Sequence, residues 1–366
     1  MLTFVDLLGI FSYFIVLFVQ RSAVMGKIVR PRIKEMPRSI DRCSFVYIDQ
    51  ASINVDGGSI VAWREGCKLV IPAASIIVLI LGPGVKITHD AVKLCGGAGT
   101  SIVWMGADQT RFYASGRPLS TSAKLVEAQA KVVSSPKKRL ECAKKMYGLR
   151  FPGIDASSKK TMNALRGMEG SRMREVYRRE AARNGIEGWN GRTAEFEKID
   201  EAEDKISASQ VIVNRSLTIG NQILYAVLMG LLSALGMTPG LGVIHCGRNE
   251  SLLFDLADLY KADTSIPVAF KVAKEMGDRK DDLKMIDRKT RAMLRESFVE
   301  LQILKRMVRD IKYLFLNEDE PISEEMTFED LLWVDEAGGL WTKDGVIPGS
   351  VNYAYSYDDE DVGELV

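Results

Sequence analysis

The alternation of hydrophobic and polar positions changes its period once along this chain, near residue 119. From about residue 39 to residue 118, short runs rich in β-branched and aromatic residues are separated by Gly, Asp or Pro, a pattern typical of β-strands. The predicted strands cover residues 45–48, 59–63, 68–71, 75–81, 101–105 and 111–114. Asp56-Gly57 is a hairpin signal, and Thr88 is the predicted cap of one helix that contains residues 91–94.

From about residue 120, apolar residues recur at helical spacing. The polar segment 185–204 is a predicted loop, and the predicted helices cover residues 124–133, 136–149, 157–184, 210–235, 266–276 and 281–313. The predicted fold class is therefore α+β. A small N-terminal β-rich domain (39–118) precedes a larger all-α domain (119–316).

Residues 1–38 and 317–366 lie outside these two predicted domains. A nearly unbroken apolar run covers residues 7–19, which is shorter than the ~20 residues that cross a bilayer. No basic segment precedes this run and no clear cleavage site follows it, so a signal peptide is weakly supported. A peripheral anchor and a partner-docking helix stay open, but we favour an extension that begins upstream of the true start codon. We therefore predict no stable membrane span.

Charge is divided unevenly along the chain. Residues 317–366 contain fifteen Asp or Glu and one basic residue, a net charge of −14, and because the whole chain carries +1, residues 1–316 carry +15. A basic body with an acidic tail suits a protein that binds a polyanion, although a charge excess also serves solubility. The five cysteines are scattered without a C-x-x-C pair, which argues against a disulfide framework or zinc knuckle and predicts a reduced, cytoplasmic location.

The stretch 240–263 concentrates the side chains that carry chemistry. It contains His245, one of two histidines in the chain, between a short apolar run and a polar turn. A helix is predicted to follow, on which Asp255 and Asp258 share a face that differs from that of the leucines. An imidazole and two carboxylates beside an apolar segment either hold a cation or form an ordinary solvated face. His89 has no acid or cysteine cluster beside it, so it is predicted to be structural or exposed.

Two further patterns each have a functional and an ordinary interpretation. Glu169 lies between Gly167 and Gly170 in a predicted helix, where each glycine costs ~1 kcal/mol relative to alanine. Close approach of a ligand would explain the glycines, although an exposed glutamate is the simpler interpretation. A stripe of basic residues lies along one face of the predicted helix 281–313. This stripe either contacts the phosphate backbone of a nucleic acid or is an ordinary solvated face. The stripe consists of Lys284, Arg288, Arg291 and Arg295.

Several short motifs together resemble the CRISPR-associated endonuclease family Cas1, the DNA-integrating subunit of CRISPR spacer acquisition. They are GMEGSRMR at 167–174, GVIHCGR at 242–248 and FDLADLYKAD at 254–263. Motifs in the β-rich stretch, LRFP at 149–152 and WNGR at 189–192 resemble the type I-E branch in particular. The resemblance extends from about residue 39 to about residue 313, so the N-terminal extension and the acidic tail lie outside it.

The resemblance implies that the all-α domain is catalytic and that Glu169, His245 and Asp255 form a metal site. Asp258 lies beside Asp255 as a further catalytic residue. This implication replaces the ordinary interpretation of Glu169. Carboxylate oxygens with one imidazole suit Mg²⁺ or Mn²⁺, whereas zinc is less expected without cysteine ligands. Related sequences often carry tyrosine where this chain has Phe254, so a hydroxyl contact to DNA would be lost.

The implied activity is metal-dependent DNA cleavage and strand transfer, in which the 3′-hydroxyl of a short fragment attacks a CRISPR repeat. The implied partners are double-stranded DNA, a second copy of the chain, and a small ferredoxin-like second CRISPR adaptation protein in a heterohexamer, which the acidic tail would help to dock. A general metal-dependent nuclease acting on branched DNA in repair and a non-catalytic DNA-binding scaffold stay open as alternatives. The residues expected to contact DNA are Lys261, Lys284, Arg288, Arg291, Arg295 and Trp189.

Overall fold

A computed structural model describes residues 43–64, 66–106, 112–116, 123–153, 155–187, 189, 191 and 207–316, together with two short paired strands, Leu340–Thr342 and Gly345–Ile347. A β-rich region comes first and a helical region follows, which confirms the predicted α+β class. The N-terminal extension 1–38 and the rest of the tail 317–366 lie outside the described residues. The predictions made for those two segments are therefore not addressed by the structure.

The β-rich region consists of two four-stranded sheets. In the first, with the order β1-β5-β7-β8, β1, β5 and β7 are parallel and β8 is antiparallel to β7. The second has the order β4-β3-β2-β6. Helix α1 (His89–Gly97) connects β6 to β7 and has Thr88 at its N-cap, as predicted. The strands are β1 (Cys43–Ile48), β2 (Ser52–Asp56), β3 (Ser59–Arg64), β4 (Cys67–Ile71), β5 (Ile76–Leu81), β6 (Lys86–Ile87), β7 (Ser101–Met105) and β8 (Phe112–Gly116).

The predicted hairpin joins β2 to β3. Asp56 pairs with Ser59 at the end of the ladder, so Gly57 and Gly58 form a two-residue turn. Their φ angles of +57° and +77° lie in the left-handed region, which a type I′ turn requires and which glycine adopts without a steric penalty. The Asp56-Gly57 signal thus marked the correct position, although strands β2 and β6 themselves were not predicted.

Strand β5 separates two hydrophobic cores. All six of its residues are buried, and alternate side chains of a strand point to opposite faces of the sheet. Leu79 and Leu81 pack in the core between the two sheets, whereas Val78 and Ile80 pack in the core shared with the helices. Burial on both faces explains why residues 76–81 are continuously apolar instead of alternating.

Most predicted helices are present, but the single helix predicted over residues 281–313 is wrong, because this segment forms two helices. The chain breaks at Leu301 and Gln302, and Gln302 has a φ of +45°. The break turns the apolar face of the last helix, α9, onto α2 and α3, and no Gly or Pro marks it in the sequence. The helices are α2 (Lys124–Val133), α3 (Pro136–Arg150), α4 (Met162–Asn184), α5 (Ala208–Ala234), α6 (Ser251–Tyr260), α7 (Ser265–Met276), α8 (Leu283–Glu300) and α9 (Ile303–Phe315).

Helix α5 forms the centre of the helical region and joins it to the first sheet. At Gly230 an added Cβ would lie 3.1 Å from the Cβ of Val78, so glycine permits the close approach of α5 to β5. Among the described residues, α5 is the one helix whose length and composition would let it cross a membrane, and 78% of its most apolar window is buried inside the protein. Such burial is what the core helix of a folded domain requires.

Candidate functional site

The segment that connects α5 to α6 folds tightly onto the helix that follows it. At Gly242 an added Cβ would lie 2.4 Å from the carbonyl oxygen of His245 and 2.6 Å from the Cβ of Ser251, so a side chain does not fit there. Arg139 and Arg166, from two other helices, donate to the carbonyl groups of the two residues before His245, at 2.6 Å each. Because the carbonyl groups of Val243 and Ile244 accept hydrogen bonds from these two arginines, the backbone N–H groups of the turn point towards α6.

Asp255 receives those N–H groups. Its Oδ2 accepts from the backbone of Val243 at 2.6 Å and of Ile244 at 2.9 Å. Its Oδ1 accepts from the backbone N–H of His245 at 2.9 Å and from the Nδ1 of the same residue at 2.6 Å. The residue is 1% exposed, and two carboxylate oxygens offer about four lone-pair positions. All of them are used by the chain's own donors.

The contact with Asp255 orients the imidazole of His245. An Nδ1–H that donates to a carboxylate leaves Nε2 as the ring nitrogen with a lone pair for a ligand. The side chain is 51% exposed, so Nε2 is accessible. The hydrogen bond to Asp255 raises the pKa of His245 above its ordinary value; burial opposes this shift, while the charges of Asp255, Asp258 and Glu169 reinforce it.

Both carboxylate oxygens of Glu169 are held by helix α3. Tyr147 donates its hydroxyl to Oε2 at 2.8 Å, and Arg150 donates from Nη1 to Oε1 at 2.5 Å. Tyr147 is 1% exposed, and burial together with the hydrogen bond to Glu169 raises the pKa of its phenol well above the ordinary value. Glu169 itself keeps 25% of its side chain exposed, so one edge of the carboxylate stays open.

Asp258 lies next to the same guanidinium. Its Oδ2 is 3.7 Å from Nη1 of Arg150, and its Oδ1 accepts from Nζ of Lys261 at 2.7 Å. Lys261 also donates to the hydroxyl of Tyr225 at 2.7 Å. Burial acts to lower the pKa of Lys261, but Asp258 and Tyr225 together raise it above its ordinary value. The lysine therefore stays charged beside Asp258.

This geometry bears on the predicted ligand set. Both oxygens of Asp255 accept hydrogen bonds from the turn and from His245, an arrangement that orients the imidazole, while its role as a metal ligand stays a prediction. Glu169, Asp258 and Nε2 of His245 are the groups left for a divalent cation. No three ligand-type side chains converge on one point within the described residues, and Arg150 lies where the two carboxylates meet. The carboxylates of Glu169 and Asp258 already lie beside one cationic group, the guanidinium of Arg150. Carboxylate oxygens are ligands that Mg²⁺ and Mn²⁺ prefer, so these two residues fit either ion.

Tyr147 and Arg150 were not predicted as functional residues. They lie three residues apart on α3 and so share one face of that helix. They precede Glu169 by 22 and 19 residues. The periodicity of α3 predicts which residues share a face, but it does not predict which carboxylate of another helix contacts that face. The one signal in the sequence was the LRFP motif around Arg150, which carried the family resemblance but indicated no role.

Part of the predicted basic stripe joins the two regions of the fold. Arg291 lies 4.8 Å from the ring centre of Tyr47, and Arg295 lies 5.6 Å from the ring centre of Phe45. Both rings belong to β1, and burial lowers the pKa of Arg291. These two arginines attach α8 to the first sheet by cation–π contacts, and their contact with DNA stays a prediction.

The other predicted DNA contacts fall into two groups. Lys284 is exposed and Arg288 is half-buried, so for these residues the prediction stands untested. Lys261 is paired with Asp258 inside the site, and Trp189 packs at 5.1 Å against the ring of Phe270, which argues against both as surface contacts. Helix α4, which carries Glu169, has a basic surface that the sequence did not single out. Its exposed arginines are Arg166, Arg172, Arg174, Arg178, Arg179 and Arg183.

The two glycines that flank Glu169 face open space. Among the described residues, an added Cβ at Gly167 would meet no atom within 4 Å, and one at Gly170 would meet only Nη1 of Arg174, at 4.0 Å. Packing within the chain therefore does not require either glycine. Close approach of a ligand on this side of α4 remains the physical reason for placing glycine in mid-helix.

We expect Gly167→Ala to stabilise the free protein by about 0.5–1 kcal/mol, because alanine favours the helix, and to weaken binding of duplex DNA. Urea unfolding and fluorescence anisotropy with labelled DNA measure the two effects. Gly148→Ala is the matched control, since Gly148 is an exposed glycine of α3 whose added Cβ would also meet no described atom within 4 Å. DNA binding that is equally tight in Gly167→Ala and wild type would contradict the close-approach interpretation.

Comparison with known proteins gives consistent matches along the chain. A family model described as CRISPR associated protein Cas1 matches residues 45–156. The CRISPR-associated endonuclease Cas1 of Clostridium sp. (strain SY8519) is 38% identical over 326 residues, which cover 88% of this chain and 100% of the relative. The CRISPR-associated endonuclease Cas1 2 of Thermus thermophilus is 33% identical over 336 residues, 90% of this chain and 95% of the relative. A crystal structure of a TtCas1–DNA complex superposes with a TM-score of 0.64 at 29% identity and covers 84% of this chain and 99% of that chain.

Proposed function

The chain belongs to the Cas1 family of CRISPR-associated proteins, as the motifs predicted, and on this premise we propose that it is a metal-dependent DNA endonuclease and integrase that inserts short DNA fragments into a CRISPR repeat. The observation that carries this proposal is the arrangement of Glu169 and Asp258 around one cationic group, beside an imidazole whose Nε2 is accessible. The type I-E branch, and the choice between Mg²⁺ and Mn²⁺, stay predictions.

The proposed reaction exchanges one phosphodiester for another. The 3′-hydroxyl oxygen of the incoming fragment bonds to a phosphorus atom of the repeat, and the bond from that phosphorus to the departing 3′-oxygen breaks. The attacking hydroxyl loses one proton and the departing oxygen gains one, so charge and atoms balance. Water in place of the hydroxyl gives hydrolysis, the endonuclease reaction. A bound Mg²⁺ or Mn²⁺ would supply Lewis-acid stabilisation of the charge that develops on the phosphate oxygens.

The chain's own residues perform the remaining tasks. Glu169 and Asp258 provide the carboxylates, and Tyr147 fixes the rotamer of Glu169 through its hydroxyl. His245 presents Nε2 because Asp255 holds Nδ1. The exposed arginines of α4 provide positive charge next to Glu169 that favours a DNA backbone.

The proposed assembly is a homodimer joined to a small ferredoxin-like second adaptation protein, and the proposed location is the cytoplasm. The Cas1 family membership supports the assembly. Free cysteines at positions 67, 95, 142 and 246 within the described residues are compatible with a reducing compartment. Deletion of residues 317–366 tests the tail: unchanged assembly with the small partner, measured by analytical ultracentrifugation, would contradict a docking role.

We expect joined product when a short duplex with 3′ overhangs, the protein and its small partner are incubated with a supercoiled plasmid that carries a CRISPR repeat. Product should require Mg²⁺ or Mn²⁺, disappear with EDTA and disappear in His245→Ala, because that variant has no Nε2. Gel electrophoresis of the plasmid measures the joining. His89→Ala is the matched control, since its helix lies in the β-rich region.

The other outcomes decide between the alternatives. Metal-dependent cleavage of branched DNA without joining would replace the integrase with a general nuclease. DNA binding that is unaffected by EDTA and by His245→Ala, without any reaction, would leave a non-catalytic scaffold.

A further inference from the structure

The charges of the carboxylate site are already balanced by the chain itself. Glu169 pairs with Arg150 at 2.5 Å, and Asp258 pairs with Lys261 at 2.7 Å and lies 3.7 Å from Arg150. The side chains of Arg150 and Lys261 are only 6% and 17% exposed. These are therefore not surface ion pairs that solvent and salt screen away. Two carboxylates that each keep an open edge, with 25% and 20% of the side chain exposed, face two cationic groups that are more deeply buried.

Arg150 is the group common to both carboxylates, and its own hydrogen bonding is incomplete. Its Nε is buried and has no hydrogen-bond partner among the described residues. The guanidinium also lies 5.1 Å from the ring centre of Phe151. A buried donor without an acceptor is unfavourable. Arg150 therefore gives up fewer hydrogen bonds when it turns away from the carboxylates than a fully paired arginine would.

Adding a divalent cation would leave Glu169, Asp258, Arg150 and Lys261 with two positive charges in excess, of which the carboxylate of Asp255 behind His245 offsets one. The remaining positive charge is compensated only if an anion enters with the cation. A phosphodiester brings one negative charge, and more charge develops on its oxygens during the reaction. An arginine presents five N–H donors in a planar fork whose geometry matches the oxygens of a phosphate. A lysine has no such planar fork of donors.

We propose that Arg150 is an exchangeable cation of this site. Arg150 neutralises Glu169 and Asp258 while they hold no metal, and it turns to the phosphate of the bound DNA once those carboxylates bind a divalent cation. Arg150 is then a catalytic residue, because it contacts the reacting phosphate. Before that exchange, it competes with the cation for the same oxygens. This inference rests on the proposed function and identifies a residue that the sequence did not single out.

The proposal predicts effects of opposite sign on metal binding and on reaction rate. Without DNA, Arg150→Met is expected to bind Mn²⁺ about tenfold more tightly than wild type, within the usual range for coupling between two ligands, because the competing cation is gone. At saturating Mn²⁺, its rate of strand transfer is expected to fall about 100-fold, the usual cost of one lost donor to a developing oxyanion. The electron paramagnetic resonance signal of free Mn²⁺ measures the binding, and single-turnover joining measures the rate.

Three further variants separate charge competition from general disturbance of the site. Arg150→Gln tests the same loss of charge with a polar side chain if Arg150→Met does not fold, as judged by circular dichroism. Tyr147→Phe removes the other hydrogen bond to Glu169 without a change of charge, so it is not expected to tighten Mn²⁺ binding. Lys271→Met removes an exposed cation from α7, a helix that carries none of the proposed metal ligands, and should leave Mn²⁺ affinity unchanged.

Tighter Mn²⁺ binding together with slower joining, in either folded Arg150 variant, supports the exchange. Unchanged or weaker Mn²⁺ binding in a folded Arg150 variant overturns it and gives Arg150 a purely structural role. Wild-type protein that neither binds Mn²⁺ nor joins DNA would overturn the proposed function, and the exchange with it. The wild-type measurement therefore distinguishes failure of the exchange from failure of the function.

Discussion

Asp258→Asn is expected to lower the rate of strand transfer at least about 10³-fold, because Lewis-acid stabilisation of the phosphate is worth several kcal/mol and, in the proposed function, Asp258 would be one of the two carboxylates that hold the cation. The variant is also expected to lose the rise in melting temperature that Mn²⁺ gives the wild type, since a ligand stabilises only a protein that binds it. Single-turnover joining and thermal unfolding with and without Mn²⁺ measure these two effects.

Asp263→Asn is the matched control for Asp258→Asn. It makes the same chemical change five residues further along, at a carboxylate that is 45% exposed and pairs with Arg306. Its joining rate should be close to that of the wild type. If Asp258→Asn keeps both its rate and its Mn²⁺ response, then the assignment of Asp258 in place of Asp255 as the metal carboxylate is wrong.

Asp255→Ala is expected to destabilise the protein by about 3–5 kcal/mol, the usual effect of removing one partner from a buried charged network. Three backbone N–H groups of the turn 243–245 would lose their acceptor, in a place that is 1% exposed. Urea unfolding without divalent cations measures the loss. Asp263→Ala, at the surface ion pair with Arg306, should change the stability by less than about 1 kcal/mol.

The same substitution should move the titration of His245. Because the hydrogen bond that His245 donates to Asp255 is the largest cause of the raised pKa of His245, Asp255→Ala is expected to bring that pKa down towards the ordinary value of about 6.5. A raised pKa in the folded state gives stability that is present below about pH 6.5 and is lost as the pH rises through the raised value. Nuclear magnetic resonance of the imidazole protons checks the shift; an unchanged pKa would mean that Asp255 does not control this ring.

Where the local pattern contained the whole cause of a structural feature, the prediction from sequence was good. The run 75–81 was predicted as a strand from its β-branched residues, and the strand is present over residues 76–81, where burial on both faces requires apolar side chains at every position. Helix α2 begins and ends at the predicted residues. The break at Leu301 and Gln302 was missed because its cause is the packing of α9 on α2 and α3, and no local residue announces it.

The site shows the same division. His245, Glu169 and the two aspartates were singled out from the motifs, but the motifs did not indicate which aspartate holds the imidazole and which lies beside Arg150. Residues three apart on a helix differ by about 60° around its axis, so both aspartates satisfied the same sequence pattern. Only the turn at Gly242, which brings three N–H groups to Asp255, distinguishes them. Likewise, Arg291 and Arg295 continue the basic stripe in sequence, yet they contact β1, more than 200 residues away in the chain.

The sequence by itself determined the α+β class, the succession of most elements, the family and the residue types of the site, because periodicity and motif order are properties of the linear chain. The tertiary structure alone decided that Asp255 orients His245, that Asp258 pairs with Lys261, and that Arg150 joins Asp258 to Glu169. The physical reason is that hydrogen-bond and charge partners form between segments that only folding brings together. Their identity depends on distances of a few ångströms between helices, which no spacing along one helix encodes.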